Sequence, residues 1–168
     1  MKIPYVDLSY KNKSKKELIK VFKKVLDKGQ FVGGDEIDLF EKKIAKLCGT
    51  NYAVALNSGT DALTLALHLL GVRKGDEVIT PPNSFIASTA VIVHLGAKPV
   101  FVDVLSDQNI DPNKIQSAIT KKTKVIMPVH LSGRMSQMDK IMSIAKKNKI
   151  SVVEDAAQSV GSKYKNKM

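Results

Sequence analysis

At 168 residues with 43% apolar content, the chain is long enough to bury one substantial core and falls in the size range of a single domain. Its net charge of +11 rests almost wholly on lysines spread along the sequence, with Arg73 and Arg134 as the only arginines; that is the pattern of a solvated basic surface, and it speaks against base reading by arginine forks. Cys48 is the lone cysteine and His68, His94 and His130 are scattered, which excludes a disulfide framework and a cysteine zinc site and leaves no metal cluster to expect.

The N-terminus, MKIPYVDLSYKNKSKK, carries charge and proline where a secretion signal needs an unbroken apolar run, so a cytoplasmic location is expected. No window approaches the roughly 20 consecutive apolar residues that cross a bilayer. The most apolar stretch, 85–97, is interrupted by Ser88, Thr89 and His94.

From Ser14 to Lys28, Leu18, Val21, Phe22, Val25 and Leu26 recur at helical spacing, and Ser14 with Glu17 reads as a capping box. A second helix is predicted over 35–48, where Ile37, Phe40, Ile44 and Leu47 share a face and Gly49 supplies a left-handed stop. Residues 29–34, GQFVGG, form a turn-rich connector. Beyond Gly49 the pattern changes to short apolar runs at 52–56, 77–80, 99–104, 124–129 and 151–154, which read as strands. Helices are predicted between them at about 61–70, 84–95, 112–118 and 138–147, the third announced by Asp111 as cap and Pro112 as its first residue. Alternating strands and helices imply an α/β fold, a mostly parallel sheet with helices on both faces.

In such a sheet, ligands bind outside the carboxyl ends of the strands. After the run at 52–56 comes Asn57-Ser58-Gly59-Thr60-Asp61, which leads straight into a helix. Free N–H groups and the positive helix end suit a phosphate, with Gly59 allowing close approach and Ser58 or Thr60 adding a hydroxyl. The same residues also suit a plain helix cap. The segment Thr80-Pro81-Pro82-Asn83-Ser84-Phe85 puts an aromatic residue at the mouth of that edge, either to stack on a flat ring or to enter the core. The run Val152-Val153-Glu154-Asp155 ends in adjacent carboxylates that strand alternation sends to opposite faces. One of them can hydrogen-bond a ring nitrogen or cap the following turn. Taken together, a phosphate cradle, a stacking aromatic and a strand-end carboxylate answer the three needs of pyridoxal 5′-phosphate.

At these residues the sequence resembles the DegT/DnrJ-type sugar aminotransferases, a branch of the fold-type I pyridoxal-phosphate enzymes. The similarity runs through IPYVDL, FVGGDEIDLFEKKIA, ALNSGTDALTLAL, GDEVITPPNSFIAS, GAKPVFVDV, PVHLSG and VVEDAAQSVGS, in that order, and so covers nearly the whole chain. The resemblance implies that Ser58, Gly59 and Thr60 hold the cofactor phosphate, Phe85 stacks on the ring, Asp155 pairs with the pyridine nitrogen, and Gln158 reaches the phenolic oxygen. Asn83 and His130 are candidate lining residues, His130 having a structural hydrogen bond as its alternative. The implied activity is transfer of an amino group, typically from glutamate, to a nucleotide-linked keto sugar by a homodimer, for surface polysaccharides or amino sugars.

In that family the Schiff-base lysine follows the Asp-x-x-Gln segment after a further stretch of chain. Lys163, Lys165 and Lys167 stand too early, in the polar run SKYKNKM. The expectation is therefore a partial large domain, residues 1–168 with a helical segment at 1–48, lacking the small C-terminal domain and not a competent transaminase alone. The rival readings are a dehydratase relative that uses the cofactor without a lysine, and a non-enzymatic polyanion-binding module with salt-dependent affinity. A nicotinamide-binding domain is disfavoured because NSGTDA lacks the three-glycine dinucleotide pattern.

Overall fold

A computed structural model describes residues 12–168. The chain begins with helices α1 (Asn12–Lys28), α2 (Asp35–Cys48) and α3 (Gly59–Leu69). Strands and helices then alternate: β1 (Glu77–Thr80), α4 (Ile86–His94), β2 (Lys98–Phe101), α5 (Pro112–Ala118), β3 (Thr123–Ile126), α6 (Met138–Asn148) and β4 (Ser151–Val152), with a single 3-10 turn at Leu131–Gly133 before α6. The four strands form one sheet in the order β2-β1-β3-β4, and every pairing is parallel.

Alternation within the strands builds two cores. Val78 of β1 and Val125 of β3 pack with Leu67 of α3 and Val91 and Ile92 of α4 on one face. Their chain neighbours Ile79 and Ile126 pack with Ile115 of α5 and Ile141 of α6 on the other. Both faces are thus covered, which is why these strands read as continuous apolar runs and not as alternating ones. The helix ends follow local chemistry. Asp111 accepts a hydrogen bond from the Asn113 N–H at the start of α5, where Pro112 lies in the first turn. Gly49, at φ 68°, ends α2 with its N–H on the carbonyls of Ala45 and Lys46.

The structure departs from the sequence reading in three respects. Ser14 lies two residues inside α1, so it is an interior residue and not the cap. The segment 52–56 is extended but joins no ladder, because no described strand lies beside it; instead the Ala55 N–H donates to Glu41 Oε1 at 2.7 Å. The last three strands are shorter than their apolar runs, ending at Phe101, Ile126 and Val152. Beyond those ends Val104 bridges Ile110 and Val129 bridges Asp155, so the chain stays extended after regular pairing stops. The segment IPYVDL lies outside the described residues.

The topology places the two helix starts that matter at one edge. The loops before β1 and β2 meet through Gly75 N–H on Gly96 O at 3.3 Å and Lys98 N–H on Asp76 O at 2.9 Å, so α3 and α4 both end at the amino edge of the sheet. The two helices pack side by side. Their first turns therefore lie at the carboxyl edge, the ligand edge of open parallel sheets.

Candidate functional site

The site is assembled from three chain segments at that edge. The first is the start of α3. Ser58 is its N-cap: the hydroxyl oxygen accepts the Asp61 N–H at 3.1 Å while its proton goes to Asp61 Oδ2, also at 3.1 Å. The capping alternative thus holds for Ser58 itself. Neither the Gly59 nor the Thr60 N–H has a partner among the described residues, as the first turn of a helix dictates. A Cβ built on Gly59 meets nothing within 4 Å, so the helix start faces open space. Two free donors, the positive helix end and the Thr60 hydroxyl suit an anion, while Asp61 in the same turn partly offsets that field.

The second segment joins β1 to α4. Phe85 occupies the N-cap position of α4 and is 72% exposed, so its ring is not a core ring. The Asn83 amide donates to Gln108 O at 3.0 Å, tying this loop to the turn beyond β2. Thr80 closes β1 on the same face as Val78 by strand alternation. Its hydroxyl is fully buried and, among the described residues, has no hydrogen-bond partner. A buried orphan hydroxyl at this edge fits a site that takes a further polar group.

The third segment follows β4. Adjacent carboxylates go to different partners, as alternation requires: Asp155 Oδ2 accepts from Ser88 Oγ at 2.8 Å, whereas Glu154 Oε2 lies 2.8 Å from His130 Nε2. Asp155 Oδ1 accepts from the Ala157 N–H at 3.3 Å. Gln158 Oε1 accepts the Ser132 N–H at 2.8 Å, an assignment that leaves the Gln158 amide NH₂ as an outward donor.

His130 is wholly buried. Its Nδ1 accepts the Ser136 backbone N–H at 3.2 Å, so the ring hydrogen resides on Nε2 and is donated to Glu154. These bonds give His130 the structural role that was its alternative. Ser84 and Ser88, which the sequence reading left out, join Asp155 through a Ser84–Ser88 hydroxyl contact of 2.9 Å. Their only sequence signal is a pair of serines four apart at the start of a helix. No group of His, Cys, Asp or Glu suited to a metal ion occurs among the described residues, and no described helix is long and apolar enough to cross a membrane.

The arrangement defines an α/β protein whose candidate ligand site lies at the carboxyl edge of a parallel sheet. The profile of the DegT/DnrJ/EryC1/StrS aminotransferase family matches residues 12–168, and the chain belongs to that family. It is 43% identical over 167 residues to the dTDP-3-amino-3,6-dideoxy-alpha-D-galactopyranose transaminase of Aneurinibacillus thermoaerophilus, covering 98% of this chain and 46% of that protein. It is 41% identical to the UDP-2-acetamido-2-deoxy-3-oxo-D-glucuronate aminotransferase of Pseudomonas aeruginosa, again over 98% and 46% of the two chains. The crystal structure of NtdA from Bacillus subtilis with bound cofactor PMP superposes with a TM-score of 0.91 at 39% identity, over 95% of this chain and 38% of that one. The chain thus spans less than half the length of these relatives.

Proposed function

We propose that this chain supplies the pyridoxal 5′-phosphate cradle of a sugar aminotransferase, as part of that enzyme's large domain. The observation that carries the reading is the pairing, at one sheet edge, of a bare helix start at Gly59 and Thr60 with a strand-end carboxylate, Asp155, held against the first turn of α4. In this reading the Gly59 and Thr60 N–H groups and the Thr60 hydroxyl bind the phosphate. Phe85 lies on the ring, Asp155 holds the proton of the ring nitrogen, and the Gln158 amide donates to the phenolic oxygen. When bound, the cofactor supplies an electron sink for the pair left as a substrate carbon loses its proton. The proposed substrates are glutamate as amino donor and a nucleotide-linked keto sugar as acceptor, with the cytoplasm as the compartment. A homodimer is proposed as well, supported by the exposed apolar side chains of α1 and α2, among them Leu18, Phe22 and Phe40.

These 168 residues alone are proposed not to transaminate. Lys165, one of the three lysines near the Asp-x-x-Gln segment, donates to Asp139 Oδ2 at 2.6 Å and is thereby engaged at the first turn of α6, with the Asp139 contact raising its pKa.

The test is a titration of the chain with pyridoxal 5′-phosphate, followed by cofactor absorbance and fluorescence. Saturable binding is expected, weakened about tenfold by Asp155→Ala through loss of a charge-assisted hydrogen bond. Absence of binding, or binding indifferent to Asp155→Ala, overturns the cradle reading. Amino-sugar formation from glutamate and a nucleotide-linked keto sugar by these residues alone overturns the second claim.

A further inference from the structure

We infer that Ser88, backed by Ser84, is a positioning residue that sets the orientation of the Asp155 carboxylate toward a protonated ring nitrogen; this rests on the cofactor reading above. Ser88 lies in the first turn of α4 and is completely buried, together with Val91 and Ile92 of the same helix. A serine inside a helix ordinarily turns its hydroxyl back to the carbonyl four residues earlier or out to solvent. Ser88 does neither. Its hydroxyl reaches Asp155 Oδ2 at 2.8 Å, across 67 residues of sequence, and thereby joins α4 to the chain leaving β4.

The direction of the chain of hydrogen bonds follows from the inventory of donors. An ionised carboxylate only accepts, so the Ser88 proton goes to Asp155, and in the 2.9 Å Ser84–Ser88 contact Ser84 is then the donor. Ser84 O–H to Ser88 Oγ, and Ser88 O–H to Asp155 Oδ2, run in one sense, which lets each bond polarise the next. On the other oxygen, Oδ1 accepts the Ala157 N–H at 3.3 Å. Both oxygens are therefore tied to groups of the scaffold, one of them to the buried Ser88 hydroxyl. The carboxylate plane is held, and each oxygen retains a lone pair for a further donor. A carboxylate held in this way offers a fixed acceptor to a ring N–H, whereas a freely rotating one loses that registry.

Two probes of equal shape separate positioning from mere support of the fold: pyridoxal 5′-phosphate, and its analogue with a carbon in place of the ring nitrogen. With the full chain, Ser88→Ala is expected to weaken binding of the first about tenfold, as for loss of a charge-assisted hydrogen bond, and to leave the second within about twofold. Ser84→Ala should have the same selectivity at smaller amplitude, and Ser88→Thr, which keeps the hydroxyl, should restore the first probe. Equal weakening of both probes, no effect on either, or equal wild-type affinity for the two overturns the positioning role. If the wild-type chain binds neither probe, the cofactor reading fails on its own account. The contact is then judged without a ligand, from the Asp155 carboxyl carbon resonance of the free chain. That resonance should move in Ser88→Ala and return in Ser88→Thr, and an unmoved resonance overturns the inference.

Discussion

The sheet layer and the N-terminal pair of helices both carry apolar faces and reach opposite ends. All four residues of β1 are buried, and Ile126 of β3 is sealed between helices. In α1, by contrast, the helical stripe of Leu18, Val21, Phe22 and Leu26 stands about half exposed or more, and in α2 only Ala45 is buried. Periodicity alone does not distinguish these cases, because it reports which side chains share a face and not what covers that face. Charge ties α1 to α2 at the turn: Lys24 pairs with Glu36 at 2.6 Å and Lys28 with Asp35 at 2.7 Å, both at the surface.

That contrast breaks down if the two regions respond alike to truncation. Ile126→Ala is expected to lower unfolding stability by about 2–5 kcal/mol, since it opens a cavity in a closed core. Phe22→Ala, on a face that is open in a single chain, should cost no more than about 0.5 kcal/mol at protein concentrations too low for the proposed dimer. Denaturant unfolding of the two variants checks both figures, and a loss at Phe22 as large as that at Ile126 would show that α1 is covered in solution.

A smaller effect belongs to the cap of α3. Ser58→Ala removes the acceptor for the Asp61 N–H and should cost about 1 kcal/mol. Because that cap leaves the Gly59 and Thr60 N–H groups untouched, cofactor affinity should change far less than in Asp155→Ala. A comparable loss of affinity would mean that Ser58 itself holds the phosphate.

The finest test is acid titration at the start of α6. Asp139 accepts from Lys165 Nζ and from Tyr164 Oη, both at 2.6 Å, and these bonds lower its pKa from 3.8 to about 2. A carboxyl with a depressed folded-state pKa contributes stability that is present above about pH 4 and lost as the pH falls toward 2. Asp139→Asn should therefore flatten the pH dependence of the unfolding midpoint between pH 4 and 2. The group is exposed, so the change is small, and an unaltered slope would show that the three side chains do not meet in solution. Removing either ion pair of the α1–α2 turn should leave the unfolding midpoint nearly unchanged, since both pairs are exposed to solvent.

The site was legible in unequal parts. Asp155 could be read as one of two adjacent strand-end carboxylates, because strand alternation forbids both from facing one way, and the structure sends Glu154 to His130 and Asp155 to Ser88. The bare N–H groups at Gly59 and Thr60 follow from helix geometry once the helix start is known. The role of Ser88 was not legible from its spacing to Ser84. A serine between alanine and threonine in an apolar helix carries no local mark of its partner, since that partner lies 67 residues away and is delivered by the β4 crossover. His130 shows the converse: its residue type suggested chemistry, and only the burial of its ring and the backbone N–H on its Nδ1 give it a structural role.

By itself the sequence determined the alternation of strand and helix, the helix stop at Gly49 and the helix start at Asp111, and the family motifs, because these depend on periods of two and 3.6 residues and on local turn chemistry. Tertiary structure alone decided that the extended run at 52–56 joins no described ladder and that α1 keeps its apolar stripe exposed. It alone brought Ser84 and Ser88 behind Asp155. Pairing and coverage are relations between distant parts of the chain, and no local pattern states which neighbour will arrive.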